Sequence, residues 1–162
     1  MENMKIRPAE RADLEDILKI YAYAREFMVR SGNPTQWVNG YPERTMLEED
    51  IRKGNLYVVL RSGKICGVFC FVLGEDPTYA VIEGGTWRSR EPYGTIHRIA
   101  SDGTGGVFPA ALKFCREVIR HIRIDTHENN YPMQHLVTKH GFSKRGIIYV
   151  ADGTPRFAYD LL

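Results

Sequence analysis

Leu14, Ile17, Leu18, Tyr21, Ala24 and Met28 recur at three- and four-residue intervals, the spacing that lines one face of an α-helix. Asp13 stands where an N-cap belongs, so a helix is predicted over 13–28, with a short strand, Lys5–Arg7, ahead of it. Ser31–Pro42 breaks the periodicity with Gly-Asn-Pro, Trp37 and Tyr41-Pro42, and a weaker helix follows over Glu43–Arg52, closed by Lys53-Gly54. The pattern then changes. Leu56–Leu60 and Ile65–Leu73 are apolar, β-rich runs joined by Arg61-Ser62-Gly63-Lys64, a hairpin signal with glycine where a positive φ is wanted. Tyr79–Ile82 and Gly94–Ser101 supply further strand material.

A second strong helix is predicted from Val107 to about Arg120, its apolar face made of Phe108, Ala111, Leu112, Cys115, Val118 and Ile119. Ile122–Asp125 reads as a short strand and Pro132–His140 as a short helix ended by Gly141. Ile147–Val150 and Arg156–Leu161 form a closing hairpin around Ala151-Asp152-Gly153-Thr154-Pro155. The order β-α-α-β-β-β-α-β-α-β-β mixes antiparallel hairpins with one central strand-helix-strand crossover, so the fold class is α+β.

At 162 residues, 43% hydrophobic and 26% charged, the chain has the size and composition of one soluble domain. A net charge of +2 is too small to argue for nucleic acid, and the cluster Arg116, Arg120, His121 and Arg123 reads as a solvated helix end. No targeting segment is visible, and Ile65–Leu73, the longest apolar run, is about half of what a membrane-spanning helix needs. Cys66, Cys70 and Cys115 are odd in number. Cys66 and Cys70 on one strand face would lie about 13 Å apart, too far for a disulfide. A cytoplasmic protein with no membrane or nucleic-acid partner is expected; a homodimer fits, although no feature fixes one.

Chemistry concentrates in two segments. In the first, an apolar strand ending Ile96-His97-Arg98-Ile99-Ala100-Ser101 runs into Asp102-Gly103-Thr104-Gly105-Gly106 and then straight into a helix. Such a turn exposes unpaired backbone N–H groups at the positive end of the helix dipole and suits a pyrophosphate, whereas the glycines alone would fit a plain tight turn. Neither a Walker A loop nor a GxGxxG fingerprint is present, since Phe108 takes the last position of the latter. In the second, the strand Ile122–Asp125 ends in Thr126-His127-Glu128-Asn129-Asn130, a polar cluster facing a crevice or capping the next helix. Asp125 and His127 lack a third ligand at a firm spacing, so no metal site is expected.

The element order, the strand-turn-helix from Ile96 to Cys115, and Asn130-x-x-Met133 leading to Gly141-Phe142 resemble the GCN5-related N-acetyltransferase (GNAT) superfamily over nearly the whole chain. The resemblance implies a mixed, mostly antiparallel sheet whose central strand splays from its parallel neighbour, with the pantetheine arm of acetyl-CoA in the gap. By that likeness Ile99, Ala100 and Ser101 would face the pantetheine. Gly103, Gly105, Gly106 and Val107 would offer amides to phosphate, and Asn130 would contact the cofactor from the other side. The turn departs from the family in being shorter and in lacking an Arg or Gln before its glycines, and Phe108 stands where a second glycine is frequent. Val137 occupies the position of a tyrosine that in many members protonates the leaving thiolate.

The implied reaction is acetyl transfer from acetyl-CoA to a primary amine of a small molecule. Because alkyl amines are protonated at neutral pH, a base is useful. His97 is the first candidate, with Glu83, ahead of Gly84-Gly85, as the second; His127 and Tyr131 are candidate acids. A structural histidine and a solvated strand-end glutamate are the plain alternatives for His97 and Glu83. Trp37, Tyr41 and Trp87 fall on predicted loops or strand ends, and the first two lie on the loop that walls the acceptor pocket in the resembling fold. Two other functions compete: a non-catalytic acyl-CoA-binding module, and a peptide or protein N-acetyltransferase.

Overall fold

The computed structural model describes residues 3–162. Its elements are β1 (Met4–Pro8), a 3-10 turn (Arg11–Asp13), α1 (Leu14–Arg30), α2 (Arg44–Arg52), β2 (Leu56–Arg61), β3 (Lys64–Leu73), a 3-10 turn (Pro77–Tyr79) and β4 (Gly94–Ser101). α3 (Val107–Val118), β5 (Ile122–Thr126), α4 (Tyr131–Lys139), β6 (Ser143–Tyr149) and β7 (Pro155–Leu161) complete the chain. The seven strands form one mixed sheet in the order β1-β2-β3-β4-β5-β7-β6, antiparallel except for β4 against β5. This is the α+β architecture expected from the sequence.

The unbroken apolar run of β3 follows from both sheet faces being covered. Val68 and Cys70 point toward α1 and α2, where they pack with Ile17, Tyr21 and Leu47. Phe69 and Phe71 point the other way, onto Val107, Ala111 and Cys115 of α3. The two-residue alternation thus feeds two apolar layers, so no polar position is needed.

Three expectations need correction. Tyr79–Ile82 is not a strand: Asp76 caps a 3-10 turn by accepting from Thr78 N at 2.9 Å, and Pro77 sets its first residue. β6 begins at Ser143 rather than Ile147, because Gly146, at φ 157, lets the strand run on past a register shift. Asp13 does not cap α1; its carboxylate takes Arg7 Nη1 at 2.7 Å and Glu10 N at 2.8 Å, closing the turn before the helix.

Candidate active site

β4 and β5 pair only at Gly94 with Ile122 and at Thr95 with Arg123. Beyond Thr95 the strands part, and the opening holds a cavity of about 480 Å³. Its walls are Ile96–Ile99 of β4, Ile124–Thr126 of β5, Trp37 and Tyr41 of the α1–α2 loop, and the β6–β7 turn with Arg156. A bulge drives the divergence. β3 advances from Val68 to Cys70 while β4 advances from Ala100 back to His97, leaving one extra residue on β4. Arg98 absorbs it at φ 50, a left-handed conformation that costs an arginine about 1–3 kcal/mol and persists only when neighbours impose it. They do: the Tyr21 hydroxyl donates to Arg98 O at 2.7 Å, and the guanidinium reaches Asp50 Oδ2 at 2.5 Å.

The bulge turns His97 into the cavity, where its Nε2 lies 3.1 Å from Asp76 Oδ2. The other Asp76 oxygen accepts from Thr78 N and, at 2.7 Å, from Thr78 Oγ1. The hydrogen bond from His97, helped by those from Thr78, holds the Asp76 carboxylate down at about 2, against a desolvation that pushes the other way. A carboxylate facing Nε2 assigns the proton to that nitrogen and leaves Nδ1 as the acceptor of the neutral ring. Asp125 also lines the cavity. Burial raises its carboxyl, and the Tyr79 hydroxyl donates to Oδ2 at 2.7 Å.

At the glycine turn, Gly103, Gly105 and Gly106 all sit at positive φ (87°, 89° and 79°), a path open to glycine. A Cβ at Gly106 would also come within 2.8 Å of Met4 Cε. Asp102 Oδ1 closes the turn by accepting from Thr104 N at 3.0 Å. The turn is not without a cation: Arg61, from the β2–β3 hairpin, donates to Thr104 Oγ1 and, at 2.5 Å, to Gly105 O.

Of the remaining candidates, Trp37 and Tyr41 line the cavity, Trp37 meeting Tyr21 edge-on at 5.6 Å between ring centres. Ile99 lines it as well, whereas Ala100 is buried under α1 and Ser101 pairs with Gly67, outside the cavity wall. Asn130 borders the cavity while capping α4, its Oδ1 accepting from Met133 N at 3.2 Å and its Nδ2 donating to Gln36 Oε1 at 2.9 Å. His127 sits beside the cavity with both ring nitrogens engaged. Asn129 N donates to Nδ1 at 3.0 Å, so Nε2 carries the proton and donates to Thr35 Oγ1 at 3.0 Å. Desolvation, then the nearby Arg156 charge, pushes its pKa down.

Three candidates lie away from the cavity. Glu83 pairs its backbone with Ile147 and accepts from the Tyr149 hydroxyl at 2.8 Å. Trp87 donates Nε1–H to Tyr79 O at 2.9 Å and covers the Arg123 guanidinium, which is sandwiched between it and Tyr93 at 4.0 and 3.9 Å. Tyr131, in the first turn of α4, is 64% exposed to solvent. Val137 is fully buried in the apolar core and is not among the residues that line the cavity.

Known structures share this fold. An acetyltransferase of the GNAT family from Streptococcus agalactiae 2603 superposes with a TM-score of 0.86 over 98% of this chain and 95% of its own, at 30% identity. The chain belongs to the GNAT family of acetyltransferases. A candidate acetyltransferase from Staphylococcus aureus Mu50 is 28% identical, with a TM-score of 0.67 and 96% of each chain covered. A GNAT-family protein from Listeria monocytogenes 4b F2365 shares the fold at 18% identity, with a TM-score of 0.70 over 97% of this chain and 93% of that one. Neither the family models nor the curated proteins searched give a match.

Within this GNAT chain, sequence reasoning missed Asp76, Arg61 and Arg156. Asp76 had a local signal, an Asp-Pro-Thr cap, but nothing linked it to His97. Arg61 read as a hairpin residue and Arg156 as the first residue of a strand. Among the described residues no helix is long and apolar enough to cross a membrane.

Proposed function

We propose that residues 1–162 act as one N-acetyltransferase domain that moves the acetyl group of acetyl-CoA onto the primary amine of a small molecule. The observation that carries this reading is the His97–Asp76 pair, set at 3.1 Å in the cavity that opens where β4 leaves β5.

The cleft suits the donor on several counts. Ile96 to Ile99 present a strand edge no longer paired with β5, and Thr126 Oγ1 at the far wall is buried without a hydrogen-bond partner. The glycine turn leads into a 12-residue helix, so the amides of Gly105, Gly106 and Val107 lie at the positive end of its dipole, with the Arg61 guanidinium beside them. Asp102 is an opposing charge within the turn, and its Oδ1 accepts from both Thr104 N and Thr104 Oγ1.

Acetyl-CoA supplies an acyl group activated as a thioester; the amine nitrogen forms the new C–N bond while the C–S bond breaks and the sulfur departs as thiolate. His97 Nδ1 takes the ammonium proton, and Asp76 holds the ring by its Nε2–H and stabilises the imidazolium that results. The unpaired backbone of β4 near Ile99 polarises the acyl carbonyl. The nitrogen sheds a second proton as the amide forms, and through water it balances the one the departing thiolate takes up. A thiol with a pKa of roughly 8.5 leaves without a dedicated acid, so Val137 in place of tyrosine costs the reaction little. Trp37 and Tyr41 wall the acceptor side, together with the β6–β7 turn, which favours a compact amine over a peptide lying across an open groove. The three free, buried cysteines favour a cytoplasmic setting.

The test is to mix the protein with acetyl-CoA and a panel of primary amines, following free thiol and acetylated amine together. Release of one thiol per acetyl-amine supports the reading. Acetyl-CoA binding with no release on any amine would instead favour the non-catalytic module.

A further inference from the structure

Resting on the transferase reading, we infer that the acceptor is a primary amine carrying an anionic group, a carboxylate or phosphonate, and that Arg156 receives that group. Arg156 is the second residue of β7 and is 7% exposed, yet it lines the cavity. Arginines so deeply buried are ordinarily paired with a carboxylate, since an unmatched charge in the interior is costly. Among the described residues the guanidinium donates only to neutral atoms, and from Nη1: Thr154 Oγ1 at 3.0 Å and Pro155 O at 2.8 Å. Among the described residues no carboxylate stands within ion-pair distance. Asp125 and Asp152 feel the charge, but Asp125 Oδ2 holds the Tyr79 hydroxyl and Asp152 Oδ1 holds Thr154.

Two of the other cavity charges are matched, and the carboxyls of Asp125 and Asp152 line the same cavity beyond ion-pair distance of Arg156. Arg98 is paired with Asp50, and Asp76 with His97. Arg156 is therefore the cavity cation that no carboxylate of the described residues approaches to ion-pair distance, on the wall built by the β6–β7 turn. His97 stands on β4, with Asp76 of the β3–β4 connection beside it, on another part of the cavity wall. A bound amine at His97 and a bound anion at Arg156 satisfy both ends at once, while Trp37, Val38 and Met46 enclose the carbon skeleton between them. The planar fork of arginine suits a two-oxygen anion.

The experiment compares amino acids and aminoalkylphosphonates, each paired with the amine that lacks the acid group, in acetyl transfer from acetyl-CoA. One charge-assisted contact predicts that the best acidic acceptor exceeds its neutral partner by about 10- to 100-fold in kcat/KM. Arg156→Gln should bring that ratio close to one, and Arg156→Lys, which keeps charge without the fork, should leave it between the two. Circular dichroism reports whether each variant is folded, and the wild-type ratio decides even if Arg156→Gln is not. Neutral amines acetylated as well as the acids, or a ratio that survives in a folded Arg156→Gln, would overturn the inference and leave the transferase intact. No turnover of either set would sink the transferase reading and this inference with it.

Discussion

Replacing Asp76 by asparagine removes a charge while keeping shape, and the structure sets the size of the effect. The carboxylate sits 3.1 Å from His97 Nε2 and is held at about 2 rather than its ordinary 3.8, chiefly by that hydrogen bond. A difference of that size corresponds to about 2 kcal/mol of preference for the charged form. If the pair persists while His97 takes the amine proton, Asp76→Asn should lower kcat/KM roughly 50-fold, from the same conversion. The assay is thiol release from acetyl-CoA with a fixed amine between pH 5 and 9. Stability gives an independent reading, and its sign follows from the depressed pKa. The carboxylate contributes fully above the unfolded value of 3.8, and that contribution is lost as pH falls through about 2. Wild type should therefore lose about 2 kcal/mol across that window that Asp76→Asn does not lose. An asparagine variant within twofold of wild type in kcat/KM, with the same acid unfolding curve, would refute the reasoning.

Two further predictions follow from buried groups. Burial pushes the Cys70 and Cys115 thiols to about 12, and all three cysteines are enclosed, so an aromatic disulfide reagent should label none in the folded protein and three in denaturant. Asp160 is fully buried, accepting from Arg88 Nε at 2.7 Å with Arg145 Nε at 3.8 Å; Asp160→Ala should cost about 3 kcal/mol in urea unfolding, and a loss under 1 kcal/mol would contradict a structural role for the cluster.

How much of this was readable in the sequence depended on whether the cause was local. The face of α1 was legible because three- and four-residue spacing reports which side is buried, and β3 was legible as a strand from its apolar, β-rich run, though not that both its faces are covered. The strand-turn-helix at Ile96–Cys115 was legible too, since glycine at positive φ and an amphipathic helix are both local requirements. The partner of His97 was not: Asp76 reaches it from another connection, and only the β3–β4 pairing and the bulge at Arg98 bring the two together. Trp87 misled for the same reason. An aromatic on a loop fits a ligand wall, but a remote Arg123 decides otherwise. The glycine turn looked short of positive charge because Arg61 comes to it from a neighbouring hairpin. Tyr79–Ile82 was read from its β-forming side chains, and the cap at Asp76 with Pro77 outweighed them.

The most direct test of the cleft is calorimetric titration with acetyl-CoA of the wild type and of Gly105→Asp. Gly105 has φ 89 and open space around it, so an added side chain meets no clash but strains the turn and sets a carboxylate at the amides meant for phosphate. The account predicts one saturable site per chain in the wild type and at least about tenfold weaker binding in the folded variant, the loss of one charge-assisted contact. Equal affinity in the two proteins, or no binding by the wild type, would contradict it.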